Sequence, residues 1–230
     1  VYKRQRFNQL NESEDIKMDI LETMKARHSV RQYKNQVIDH SKREEINAFV
    51  NAINAESKLA IQVFYDEPKC FDSFMAHYGK FENVKNYIAI VGNKNDQEKA
   101  GYYGEKIVLK CQKLGLNTCW VAMTHGKSKA QIKRGQKLLI IISLGYGETQ
   151  GVPHKSKSIA ELGQADQKNE WFEKGMEAVS LAPTAVNQQK FYFELKNGIV
   201  TAKNLGGFYS RIDLGIVKYH FEAVTGHEVK

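Results

Sequence analysis

Apolar residues along this chain recur at two spacings, and the change from one to the other marks out its elements. From Met18, "MDILETMKAR" sets Ile20, Leu21 and Met24 on one helical face and delivers the chain to Arg27. "SKREEINAFVNAINAES" repeats the helical period at Ile46, Phe49, Val50 and Ile53, and opens with Ser41 and Glu44 at capping-box spacing. "KLAIQVFYDE" then alternates around Ile61, Val63 and Tyr65 as a strand does, and "KNYIAIVGNKND" reads as a second strand ending in a Gly-Asn turn. "EKAGYYGEKIVLKCQKLGLN" is a buried helix with Ile107, Val108, Cys111 and Leu114 inward, stopped at Gly115. "TCWVAMTHGKSK" reads as a loop or short edge. "KLLIIISLGYG", the most apolar stretch, fits a central strand covered on both faces.

After the basic "HKSKSIAEL" the pattern starts again. "NEWFEKGMEAVSLAP" is a helix ended by Pro183, and "KFYFELKNGIVTAK" is a hairpin about Asn197-Gly198. "YSRIDLGIVKYHFEAVTG" closes the chain as a helix with Leu214, Val217, Phe221 and Val224 on one face. Both parts carry an aromatic strand (Phe64-Tyr65, Phe191-Tyr192) and a long helix with a Tyr-rich start that ends at glycine (Gly115, Gly226), a weak repeat in outline. The expected organisation is a first half over 18–164 and a second over 165–230, packed about a pseudo-twofold axis. The polar, aperiodic residues 1–17 are expected to be a disordered or artefactual tail.

Composition narrows the class. An apolar fraction of 42 % in 230 residues suffices for a real core. The net charge of +8 suggests an anionic partner, but the basic residues are mixed with 26 acidic ones and form no block interleaved with aromatics. That favours a small anion over nucleic acid. Three cysteines without a CxxC read as free buried thiols of a reducing compartment, and the seven dispersed histidines lack metal-ligand spacing, so no metal is expected. Neither a membrane-length apolar run nor a leader pattern is visible, and the expected location is cytoplasmic.

Three segments carry candidate chemistry. "RHSVR" offers Arg27, His28, Ser29 and Arg31, and arginine makes bidentate, permanently charged contacts to phosphate. Taken alone it reads equally as an exposed basic turn. Lys155 and Lys157, two apart on an extended segment, point the same way and could close on the same anion, or form a solvated lysine loop. "LAPTAVNQQ" presents Pro183 and Thr184 at a helix end, followed by Asn187 and Gln189, whose amides can read the edge of a planar heterocycle.

Taken in order, "ARHSVRQY", "GLNTCWVAM", "SLGYG…HKSKSIAEL" and "APTAVNQQKFYF" resemble the motif series of the FMN-dependent nitroreductase and flavin reductase superfamily, from Met18 to Gly226. The chain is most similar to its single-chain "putative TM nitroreductase" variant. Here the first-half equivalent of the Asn-Gln motif ("NAESKLAIQVF") has lost the pattern, and the intact version stands near the C-terminus. The resemblance implies an α+β, nitroreductase-like fold: a mixed β-sheet surrounded by helices, in two half-units that mimic the family homodimer. It also implies one composite FMN site, with Arg27, His28, Ser29, Arg31, Lys155 and Lys157 facing Pro183, Thr184, Asn187 and Gln189. The implied activity is ping-pong hydride transfer from NAD(P)H to FMN and then to a nitro, quinone or flavin acceptor. A cation near the flavin pyrimidine edge, Arg27 or Arg31, would favour the reduced form; Asn187 and Gln189 would meet the ring edge or ribityl hydroxyls. No nucleic-acid or membrane partner is implied, and the molecule would be a monomeric pseudo-dimer or a homodimer. Departures from the pattern are His28 and Lys157 where arginine is common, Ala122-Met123 in place of small glycines, and Lys190 where Pro-Trp is common. A flavin- or phosphate-binding module without turnover is the alternative, with Met123 over the ring as its cause.

Overall fold

The computed structural model describes residues 20–230, so the expected tail lies outside the described residues. The first apolar face forms α1 (20–26), with Leu21 and Met24 buried. Helix α2 (His40–Ser57) buries Ile46, Val50 and Ile53, but it starts ahead of the expected cap. Asp39 is its N-cap residue and makes no side-chain cap bond, because its carboxylate instead accepts from Tyr146 Oη at 2.8 Å and faces Lys42 Nζ at 3.6 Å. Ser41 and Glu44 are both already inside the helix, so Ser41 does not stand at the N-cap position that a capping box requires.

Strands β1 (Ala60–Phe64), β2 (Asn86–Gly92), β3 (Asn117–Val121) and β4 (Lys137–Gly145) form an antiparallel sheet in the order β1-β2-β4-β3. The most apolar segment, β4, is interior, and "TCWVA" is the edge beside it. Alternation divides the sheet. Ile88, Ile90, Ile140 and Ile142 join the main core under α2 and α4 (Gln97–Lys113), while Tyr87, Ala89, Cys119 and Ile141 pack on the segment after α1 and on the stretch around the short α3 (Phe74–Tyr78).

The second sheet contains β5 (Gly163–Ala165), β6 (Phe191–Lys196) and β7 (Ile199–Asn204), with β5 parallel and β7 antiparallel to β6. The hairpin turns at Asn197 and Gly198, both with positive φ (50° and 74°), as the Asn-Gly pair predicts. Around it lie α5 (Ile159–Leu162), α6 (Glu170–Ser180) and α7 (Ser210–Thr225). The α+β class is therefore as expected, with one antiparallel and one mixed sheet. A capping box absent from the sequence reading occurs at Ser158 and Glu161, at the head of α5.

One core unites the two parts: Ile107 and Val108 of α4 share a cluster with Met176, Phe193, Val217 and Phe221. Its axis is the α4–α7 pair. A Cβ on Gly101 would stand 2.0 Å from the Ile212 carbonyl oxygen, and one on Gly215 would stand 1.8 Å from that of Glu98. Each glycine lies on the residue three before the other's glycine, the reciprocal pattern of a twofold contact. Only glycine permits backbones this close. Among the described residues, no helix is long and apolar enough to cross a membrane.

Candidate functional site

"RHSVRQY" is held in extended form at the end of the first sheet. Ser29 bridges Thr118 in parallel fashion, Val30 N–H donates to the Thr118 carbonyl (3.0 Å), and Tyr33 N–H donates to that of Glu82 (3.1 Å). The Tyr33 ring is buried against Gly145, and its hydroxyl meets the Val30 carbonyl and Ser143 Oγ, each at 2.7 Å. These anchors settle where the four candidate side chains go. Ser29 and Arg31 are exposed, His28 is half-buried, and Arg27 is 3 % exposed. The Arg31 guanidinium stands 5.9 Å from the Phe81 ring centroid.

The loop after β4 folds back onto this segment. Asn117 directs it: its Oδ1 accepts from Gly147 N–H at 2.9 Å, and its Nδ2 donates to Gln150 Oε1 at 3.0 Å. Gly151 then passes so close that a Cβ there would lie 2.8 Å from His28 Cβ. The basic residues follow directly. Lys155 is exposed; Lys157 is exposed too, but its Nζ donates to the Gln189 carbonyl at 3.1 Å. His154 reaches the Ser180 carbonyl at 3.1 Å. Burial first, and then the charge of Arg27, hold His154 below the usual histidine pKa, against the pull of the Ser180 carbonyl.

The turn that follows α6 meets this loop. Gln189 is buried and braces the basic segment from both sides, accepting from Lys157 N–H (2.8 Å) and donating to the Lys155 carbonyl (2.9 Å). Asn187 Nδ2 donates to the same carbonyl at 2.9 Å. The two amides thus hold the lysine backbone. Pro183 opens the turn, and Thr184 closes it, its Oγ1 accepting from Gln189 N–H at 3.1 Å. Val186, Asn187 and Gln189 all have positive φ (47°, 53° and 46°), a conformation costing a non-glycine residue about 1–2 kcal/mol. Val186 is a β-branched residue 83 % exposed, so burial of its side chain does not offset that strain. Asp213 in the first turn of α7 stabilises the turn, accepting from Ala185 N–H (2.9 Å) and Gln188 Nε2 (2.7 Å). Its carboxyl is pushed up to about 6 by burial, despite these two donors.

Beneath the crossing lies a buried charge cluster. Arg27 Nε is 3.8 Å from Glu105 Oε1, and Glu105 also accepts from Trp120 Nε1 and faces His220 Nε2, both at 3.0 Å. Burial raises the Glu105 carboxyl, but His220, Arg27 and Trp120 together more than offset it and leave it below the usual carboxylate range. Burial lowers Arg27, and Glu105 opposes that shift. Among the described residues, Arg27 Nε and Nη1 remain buried without a hydrogen-bond partner. Cys119, buried nearby, is raised by burial against the pull of Arg31, Ser29 and Arg27, so it stays a thiol.

The structure therefore joins Lys155, Lys157, Thr184, Asn187 and Gln189 by direct bonds. It lays His28 and Ser29 against Gly151, buries Arg27 beside Glu105, and turns Arg31 toward Phe81. Sequence reasoning missed Asn117, Glu105, Asp213 and His220. The first two lay inside segments already singled out, as the one amide in the "GLNTCW" turn and the one carboxylate on the inward face of a buried helix. Asp213 and His220 carried a comparable signal, as polar residues beside the apolar stripe of α7.

Comparison with known proteins gives the family. A family model described as "Putative TM nitroreductase" matches residues 19–225. Among solved structures, one titled a putative nitroreductase from Thermotoga maritima is 23 % identical with a TM-score of 0.64, covering 89 % of this chain and 82 % of that one. Another, a putative nitroreductase in complex with FMN from Desulfovibrio desulfuricans, is 15 % identical with a TM-score of 0.50, covering 62 % of this chain and 93 % of that one. No curated protein matches. The family match runs from α1 to the end of α7 and takes in every segment of the candidate site, and the chain belongs to this nitroreductase family.

Proposed function

We propose that the chain binds one FMN where the RHSVR segment, the 151–157 loop and the 183–189 turn meet, and that it is an oxidoreductase of nitroreductase type using NAD(P)H as donor. The observation that carries this reading is the meeting of a donor-rich basic set with an amide turn from the other end of the chain. Family membership and the FMN complex of the Desulfovibrio relative support the choice of ligand. The residues fit a phosphorylated ligand: Arg27 has two buried nitrogens without partners, and exposed Ser29 and Lys155 add a neutral and a charged donor. Each charge-assisted bond to phosphate contributes about 1.5–3 kcal/mol.

FMN, when bound, supplies the hydride and electron transfer. The protein's part is position and field. Asn187 and Gln189 fix the backbone of Lys155 and Lys157, and Asp213 fixes the turn that carries those amides. Cys119, held as a buried thiol, offers no competing nucleophile. Residues 18–164 and 165–230 act as two half-units sharing one site. Met123, 57 % exposed, follows Ala122, whose carbonyl accepts from Tyr209 Oη at 3.3 Å.

The test is the visible spectrum after incubation with FMN and removal of the excess, then addition of NADH or NADPH under nitrogen. About one flavin per chain, bleaching with the nicotinamide and recovering with a quinone or nitro compound, is expected. A flavin that is held but does not bleach would favour the binding module, and a colourless protein would refute the cofactor assignment.

A further inference from the structure

Glu105 on α4 and His220 on α7 are both fully buried and come from opposite halves of the chain. His220 Nδ1 lies 2.8 Å from the Ala178 carbonyl oxygen, which only accepts, so this nitrogen carries hydrogen. Nε2 lies 3.0 Å from Glu105 Oε1, so another proton lies between those two atoms. Wherever that proton resides, histidine and carboxylate together are neutral. Trp120 Nε1 donates to the second carboxylate oxygen and adds no charge. Arg27, 3.8 Å from the same carboxylate, thus keeps its positive charge unbalanced in a dry setting, with Nε and Nη1 unpartnered. The other titratable neighbours do not balance it. Burial lowers His28 and His154 toward neutrality, and it raises Cys119 and Tyr219 so that both stay protonated.

An isolated glutamate in this place would neutralise Arg27 one to one, and a bound phosphate would gain little from the arginine. We propose that His220 is a positioning residue that sets the charge of the cofactor site: by sharing a proton with Glu105 it keeps the carboxylate from neutralising Arg27 and reserves the guanidinium for the phosphate of a flavin nucleotide. The inference rests on the FMN reading above. It assigns His220 no contact with the flavin and no part in hydride transfer.

The experiment compares FMN with riboflavin, which lacks the phosphate, by fluorescence titration of wild type, His220→Gln, Glu105→Gln and the double variant. In His220→Gln the carboxylate faces Arg27 alone, and the preference for FMN over riboflavin is expected to fall by about ten-fold or more, with riboflavin affinity unchanged. The double variant, with two neutral amides, restores the preference, and Glu105→Gln retains it. A merely structural role would weaken both ligands alike and would worsen with the second substitution. An unchanged preference in His220→Gln, a double variant that does not recover, or loss of preference in Glu105→Gln would each overturn the assignment. Melting temperature against inorganic phosphate reads the same charge without flavin. A wild type stabilised by phosphate, with the same order among the variants, but indifferent to FMN would sink the flavin reading and leave the charge assignment standing; no response to either sinks both.

Discussion

Replacing Gly215 by alanine is expected to unseat α7 from α4. The added Cβ would meet the Glu98 carbonyl oxygen at 1.8 Å and the Tyr102 nitrogen at 2.6 Å, both backbone atoms that no rotamer change can move aside. Relief requires the helices to part by more than about 1 Å, and interiors are packed too densely to absorb that locally. Parting also stretches the bonds that tie the two helices: Lys218 to Glu98 (2.7 Å), Tyr102 Oη to Glu222 (2.7 Å) and His220 to Glu105 (3.0 Å). Overpacking of this kind costs about 1–3 kcal/mol, with the backbone collision placing it at the upper end. Alanine's better helix propensity returns about 1 kcal/mol. The net loss of about 2 kcal/mol corresponds to a melting temperature roughly 4–8 °C lower for a chain of this size. Gly101→Ala, which meets the Ile212 carbonyl at 2.0 Å, should behave alike because the contact is reciprocal. Thermal and urea unfolding of both variants measure this. A wild-type or higher melting temperature for either one would refute the close-contact reasoning, since propensity alone would then have decided the outcome.

Asp213→Asn tests the turn anchor through pH. A carboxyl raised to about 6 in the folded protein stabilises the fold below about pH 4, and that contribution disappears as the pH climbs through about 6. The stability difference should therefore move in the variant's favour by up to about 3 kcal/mol between pH 4 and 7, and parallel curves would contradict the assignment. Arg27→Met removes an unbalanced buried charge, so it should leave the melting temperature unchanged or raised while flavin retention falls; a loss of stability of about 3–5 kcal/mol would mean that Arg27 is properly paired. Gln189→Ala strips the braces from Lys155 and Lys157, at a cost of about 1–3 kcal/mol, and should speed proteolysis between Gly151 and Ser158. Cleavage at the wild-type rate would show that the loop stands without them.

Periodicity is a local property, and what it encodes could be read directly. The inward faces of α2, α4 and α7, the interior place of β4 and the Asn197-Gly198 hairpin all follow from residues within a turn or two of one another. The order of the motifs likewise carried the family. What periodicity does not encode is which remote polar group meets which. Asn187 and Gln189 were expected to face a ligand, yet their amides hold the Lys155 carbonyl, a match that exists only once α6 brings the turn beside the loop. The strained Val186 turn depends on Asp213, and β5 is three residues long, too short to show a period. The buried charge of Arg27 was the least legible feature. "RHSVR" by itself gave four polar side chains, but only the tertiary fold buries Arg27 beside Glu105, and only the crossing of α4 and α7 sets His220 against that carboxylate. Sequence determined the elements, because neighbouring residues choose them. Tertiary structure decided the electrostatics, because pairing and desolvation are set by distance in space.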